Sequence, residues 1–157
     1  MNNEIKLEQI IFLLTNEDYK IRESAVIVLS EILLSNPSLA KEAYEQIIPL
    51  LKDNYSYARY LVIDALGPIA HSDPSLATDA YEQIILLLKD EGWHVRESAI
   101  KALGDLVAAS PSLAKEVYEQ ITPLLKDEDS DVRYSASEAL GKIVACDPSF
   151  IVKQLNN

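Results

Sequence analysis

The chain has 157 residues, 48% of them hydrophobic, and a formal net charge of −11. That charge argues against surfaces built for nucleic-acid phosphates, whose affinity comes from Lys and Arg, and favours a basic partner or plain solubility. The lone cysteine, Cys146, excludes an internal disulfide framework and suits a reducing, cytoplasmic setting.

Read in order, the chain repeats itself. Residues 1–36 form a first unit, marked by Glu8-Gln9-Ile10. Its apolar run at residues 10–14 follows acidic residues and is too short for a signal peptide or a membrane span. Pro-Ser-Leu-Ala then opens at Pro37, Pro74 and Pro111, with steps of 74−37 = 37 and 111−74 = 37. Full units therefore cover 37–73, 74–110 and 111–147, and residues 148–157 begin a partial fifth. A fixed period of this size marks an array in which each unit packs on its neighbours.

Each unit reads as a helix pair. Asn36, Asp73, Ser110 and Asp147 precede a proline, the cap-then-Pro arrangement that starts a helix. Leu39, Ala43, Ile47, Leu50 and Leu51 follow at helical spacing, with Tyr44 and Ile48 widening the stripe. Pro49 and Pro123 are expected to bend the first helix without ending it. A Lys-Asp turn leads to the second helix, where Val132, Ala136, Ala139, Leu140 and Ile143 share one side. Gly67, Gly104 and Gly141 recur inside that helix, which suggests close helix–helix approach. Strand patterns are nearly absent. The expectation is an all-α, right-handed α-solenoid of about four helix-pair repeats plus a C-terminal half repeat, forming one domain over residues 1–157.

Leu125-Lys126-Asp127, then Val132-Arg133, Ser135-Ala136 and Ala139-Leu140-Gly141, resemble a HEAT repeat. The form most similar is the short HEAT-like repeat also found in bilin lyase subunits. Val95-Arg96, Ser98-Ala99 and Ala102-Leu103-Gly104 match equally well, and Ile21-Arg22 with Ser24-Ala25 matches in the first unit. The second unit departs most, with Tyr55 where Asp18 and Asp129 stand. The resemblance implies a right-handed superhelix of antiparallel helix pairs whose second helices line the concave side.

Comparison between units separates scaffold from surface. Arg22, Arg59, Arg96 and Arg133 form a constant column, read as a ladder of ion pairs to Asp53, Asp90, Asp127 or the turn acids. Tyr44, Tyr81 and Tyr118 form a second constant column, read as packing residues. The second-helix columns that vary are the recognition candidates. They supply Tyr57, Tyr60, Asp64, Trp93, His94, Glu97, Lys101, Tyr134 and Glu138 as a partner-binding set. Aromatic rings ringed by charge on a polar face fit an interface hot spot, and turn packing between units is the plainer reading. Replacing both Tyr57 and Tyr134 by Ala is expected to leave thermal stability nearly unchanged and to weaken binding to the partner. Ile27, Leu34, Phe150, Ile151 and Val152 make both ends apolar and suggest self-association or a longer array.

No catalytic, metal or cofactor residues are assigned. His71 and His94 stand about fourteen helical positions apart, roughly 20 Å. Cys146 has no base nearby and reads as a buried or inert thiol. His71-Ser72 and His94-Val95 do not match the His-Glu pairs of HEAT-like deoxyhypusine hydroxylases, and the acidic charge does not suit HEAT-like alkylpurine glycosylases. The four glycines form no phosphate loop. The functional expectation is a non-enzymatic scaffold that binds a protein or peptide, neither nucleic acid nor membrane, on its concave face. The alternative is an accessory subunit of a bilin-lyase-like enzyme.

Overall fold

Four 17-residue helices carry the architecture, α2 (Tyr19–Ser35), α4 (Ser56–Ser72), α6 (Trp93–Ala109) and α8 (Ser130–Cys146). The computed structural model describes residues 3–157. Sequence readings at Met1 and Asn2, and that of the Ile151 side chain, lie outside the described residues. The shorter partners are α1 (Asn3–Leu13), α3 (Ala40–Ile47), α5 (Ala77–Ile84) and α7 (Ala114–Ile121), with α9 (Ser149–Leu155) closing the chain. No strand occurs among the described residues.

The predicted first helices start and finish tighter than expected. Pro37–Leu39, Pro74–Leu76 and Pro111–Leu113 are 3₁₀ turns leading into α3, α5 and α7. Asp73 caps its turn by accepting from the Ser75 amide at 3.1 Å, and Asp147 does the same for Ser149. At the far end, Ile48–Lys52, Ile85–Lys89 and Thr122–Lys126 are again 3₁₀. The middle segment contains no proline, so Pro49 and Pro123 are not what tightens the helix. Turn geometry sets it: a 3₁₀ turn lets Asp53, Asp90 and Asp127 donate their amides back to carbonyls three residues earlier.

Packing follows the apolar stripes. Ala40, Ala43, Tyr44, Ile47 and Leu51 are buried on the first-helix side, as are Val132, Ala136, Ala139 and Ile143 on α8. Neighbouring second helices pack directly on one another, α2 on α4, α4 on α6 and α6 on α8. The first helices α5 and α7 rest against second helices of their own and the preceding unit, α3 rests against α4 and α1, and α3, α5 and α7 hardly touch one another.

A charged rung ties the turns together. Arg59 donates from Nε and Nη2 to the Asp90 carboxylate at 2.7 and 2.8 Å, and Arg96 grips Asp127 at 2.9 and 2.8 Å. In each pair both side chains are more than nine-tenths buried, the Arg59 pair at 9% and 8% exposed. The remaining Nη1 of each arginine donates to the carbonyls of its own turn, Asp53 and Asn54 for Arg59, Asp90 and Glu91 for Arg96. Each aspartate in turn accepts the amide two residues on, Gly92 for Asp90 and Asp129 for Asp127. Burial alone would make Asp90 harder to ionise, but the Arg59 hydrogen bond and the Gly92 amide outweigh it and hold its pKa below 3.8. The Arg96 hydrogen bond lowers Asp127 in the same direction.

The predicted ladder stops short at both ends. Arg133 binds only the Asp127 and Glu128 carbonyls. Arg22 binds the Asn16 and Glu17 carbonyls, and its guanidinium lies 5.3 Å from the Tyr57 ring centre with Nε unpaired, so no Arg22–Asp53 rung forms. Tyr57 takes the column held elsewhere by Lys20, His94 and Asp131, and its ring meets the guanidinium.

Three further expectations are corrected. A Cβ on Gly67 or Gly141 would meet nothing within 4 Å, and one on Gly104 would touch Ala139 at an ordinary 3.6 Å, so close approach does not explain the glycine column. Gly67 precedes Pro68, whose ring disfavours a helical residue bearing a Cβ before it; nothing in the structure explains Gly141. Phe150 is buried, stacked edge-on to Tyr118 at 4.9 Å, because α9 folds back on α7. Cys146, read as buried or inert, is exposed, at the last position of α8.

Removing one partner of a buried pair strands the other charge. Asp127→Ala is therefore expected to cost about 3 kcal/mol, and Arg133→Ala under about 1 kcal/mol, in chemical denaturation. Because the folded pKa values are depressed, the rungs contribute fully above about pH 4 and fade as pH falls through the folded values. Asp127→Ala should accordingly lose less stability than the parent chain on acidification. Gly141→Ala, which adds a methyl in open space, should raise stability by about 0.5–1 kcal/mol.

Candidate functional site

The variable columns of the second helices build one continuous surface in two parts. The first is an aromatic cluster at the N-terminal ends of α2, α4 and α6. Tyr57 stacks on Tyr60 with ring centres 5.4 Å apart, and His94 lies 6.4 and 6.1 Å from those two rings. Trp93 stands edge-on to His94 at 5.6 Å, and Tyr19 edge-on to Tyr57 at 6.2 Å. The Tyr57 hydroxyl donates to Glu23 at 2.5 Å, and His94 Nε2 lies 3.1 Å from the Ser56 hydroxyl. The Glu23 hydrogen bond pushes the Tyr57 pKa up to about 12. Burial, with the Asp64 carboxylate behind it, raises Tyr60 to about 12 as well. Both hydroxyls stay protonated and remain donors throughout the physiological range.

The exposure expected of these rings differs from one to the next. Tyr57 and Tyr60 are half-buried, not free, because they pack on each other and on Tyr19 and His94 of the adjacent units. Trp93 keeps 44% of its surface exposed. Tyr134 is 70% exposed and joins no aromatic pair, so it stands apart from the others. Glu97 accepts from Lys101 at 2.5 Å and from the Ser135 hydroxyl at 3.3 Å, bridging α6 and α8. Glu138 pairs with Lys142 at 3.3 Å. Tyr19, Arg22 and Glu23 also belong to the cluster and lie outside the predicted partner-binding set, with Arg22 read as a ladder residue. The signal was available for Tyr19, which shares the column of Trp93.

The second part is an open groove of about 600 Å³ between the C-terminal halves of α2, α4 and α6. Leu34, Ile63, Pro68, Ala102 and Leu106 supply its apolar lining, and Asp64, His71, Lys101 and Asp105 its polar one. Asp64 and Lys101 are the sequence-predicted residues placed here. The groove itself went unpredicted, although Gly67-Pro68 inside a helix signals a bare stretch of wall. Asp64 accepts from the Ser98 hydroxyl at 2.8 Å, which stitches α4 to α6 beneath the groove.

The surface as a whole is acidic. Glu23, Glu31, Asp64, Glu97, Asp105, Asp131 and Glu138 face Lys20, Lys101 and Lys142 in the variable columns. Among the described residues no group of three or more His, Cys, Asp or Glu could hold a metal ion. No described helix is long and apolar enough to cross a membrane.

Comparison with known proteins agrees with the helical repeat fold. Residues 93–143, spanning α6 to α8, match the family model described as a HEAT-like repeat. The HEAT-like assignment made from the repeated motif therefore holds there. No curated protein matches the chain. Two engineered proteins of known structure are similar to it, each with a TM-score of 0.65. One is 24% identical over 92% of this chain and 63% of its own, the other 28% identical over 90% and 64%. The chain thus spans under two thirds of their length. A designed armadillo repeat protein, solved in complex with the peptide (KR)4, is 19% identical with a TM-score of 0.57, covering 96% of this chain and 74% of its own. The fold is a helical repeat solenoid.

Because Tyr57 is packed and Tyr134 is not, their removal should separate. Tyr57→Ala is expected to lower stability by about 1–2 kcal/mol through lost stacking and cation–π contact. Tyr134→Ala should stay within about 0.5 kcal/mol, both read by thermal and chemical melting of single variants.

Proposed function

We propose that this chain is a non-enzymatic scaffold that binds a basic protein or peptide segment along the face of its second helices. The carrying observation is that exposed or half-exposed aromatic rings and an excess of carboxylates share that one face. Close packing among second helices, far more extensive than any between first helices, supports that face as the inner, concave one. Stacked helices hold Trp93, Tyr134 and the carboxylates in place before a partner arrives, so little ordering entropy is lost on binding. Trp93 and Tyr134 are the anchors, and Tyr57, Tyr60 and His94 form the packed floor beside them. Asp64, Glu97, Lys101 and Glu138 set charge preference at the rim. The designed armadillo neighbour's (KR)4 complex supports the choice of an extended basic ligand. The proposed setting is the cytoplasm, where the exposed lone thiol of Cys146 stays reduced.

Fluorescence polarisation with a labelled (Lys-Arg)4 octapeptide tests this reading, with (Glu-Asp)4 as control. Binding of the basic peptide alone is expected, weakening between about 0.05 and 0.5 M salt as screening shortens. Trp93→Ala with Tyr134→Ala should weaken it by about ten-fold or more. Equal binding of the two peptides, or no binding, refutes the proposal.

A further inference from the structure

We infer that the groove between α2, α4 and α6 seats an aliphatic side chain of the bound segment, with a lysine or arginine next to it in that segment. The inference rests on the peptide-binding reading and assigns it a specificity pocket. Three observations converge. The lining presents aliphatic surface at Leu34, Pro68, Ala108 and Ala109, and the roughly 600 Å³ of open space admits a branched side chain and part of its backbone. Leu34 is 70% exposed there, an apolar surface left uncovered among the described residues. The wall beside it offers acceptors and few donors. Pro68 has no N–H, so the Asp64 carbonyl receives no helical bond from that position. The Asp64 carboxylate is met by the Ser98 and Tyr60 hydroxyls and by no cation, and Asp105 has no hydrogen-bond or ion-pair partner among the described residues. Lys101, the cation at the groove, is held by Glu97 at 2.5 Å. An incoming cation would therefore meet uncompensated carboxylates at the edge of an aliphatic floor. A wholly basic segment would leave that floor wet, and an acidic one would be repelled.

Asp64 lines the groove and interacts with Tyr60 of the aromatic cluster, so one extended segment can use both. The repeat supplies the contrast. Only α4 carries proline at this register, where Glu31, Asp105 and Lys142 stand in the other second helices. The pocket is thus particular to the middle of the array.

The experiment compares two octapeptides, Lys-Arg-Leu-Lys-Arg-Leu-Lys-Arg and its counterpart with alanine at both leucines. An acidic version, Glu-Asp-Leu-Glu-Asp-Leu-Glu-Asp, serves as the third arm. On the unmodified chain the leucine peptide should bind about ten-fold or more tighter than the alanine one. Gly67→Leu, which fills open space, should bring that ratio toward one. Leu34→Ser, at an exposed position that leaves the core untouched, should do the same if Gly67→Leu perturbs folding. Circular dichroism melts confirm the fold of each variant. Equal affinity for leucine and alanine peptides, or an undiminished ratio in both folded variants, overturns the pocket while leaving the scaffold reading intact. Binding of the acidic leucine peptide as tight as that of the basic one overturns the flanking cation. Failure of every peptide to bind removes both proposals.

Discussion

Two guanidinium–carboxylate rungs, Arg59–Asp90 and Arg96–Asp127, hold the array in register. Each arginine is fastened to its own turn by carbonyls and to the next turn by a buried bidentate grip. Each aspartate is fastened by its arginine and by the amide two residues on. The arrangement satisfies nearly every polar atom it buries, which is the condition under which a buried ion pair is tolerated. It also fixes how far one helix pair rotates against the next, because a fork-shaped donor accepts a carboxylate in few orientations.

That fixed rotation aligns the outer columns of the second helices into a single surface. Hydroxyl-to-carboxylate contacts repeat across it, from Tyr57 to Glu23, Ser98 to Asp64 and Ser135 to Glu97. Where the first rung is missing, Tyr57 and Arg22 supply a cation–π contact in its place. The aromatic cluster is therefore part adhesive between units and part surface for a partner, and the two roles fall on different rings. Tyr57 and Tyr60 hold the units together, while Trp93 and Tyr134 project.

Much of this was legible from the residues. The 37-residue spacing, the proline-led helix starts, the apolar stripes and the Arg–Asp columns all follow from contacts made within a unit or with its nearest neighbour. The misreadings share a cause. Gly67 looked like a close contact, but the proline after it is reason enough for a missing Cβ. Pro49 and Pro123 looked like the source of a bend that the proline-free middle unit makes as well. Phe150 looked like a free apolar end, but Tyr118 was waiting one helix away. Tyr57 looked exposed on a helical wheel, which takes no account of the rings of the neighbouring helix.

Repetition in the chain was enough by itself to determine a row of helical hairpins with charged turns joined in a ladder, since such interactions recur at constant sequence offsets. Which side chains remain open, and that a groove lies between α2, α4 and α6, was decided by the tertiary structure. Those features depend on the angle between successive units and on single departures from the repeat, such as Tyr57 and Pro68. A periodic pattern records what the units share, and the surface available to a partner is formed where they differ.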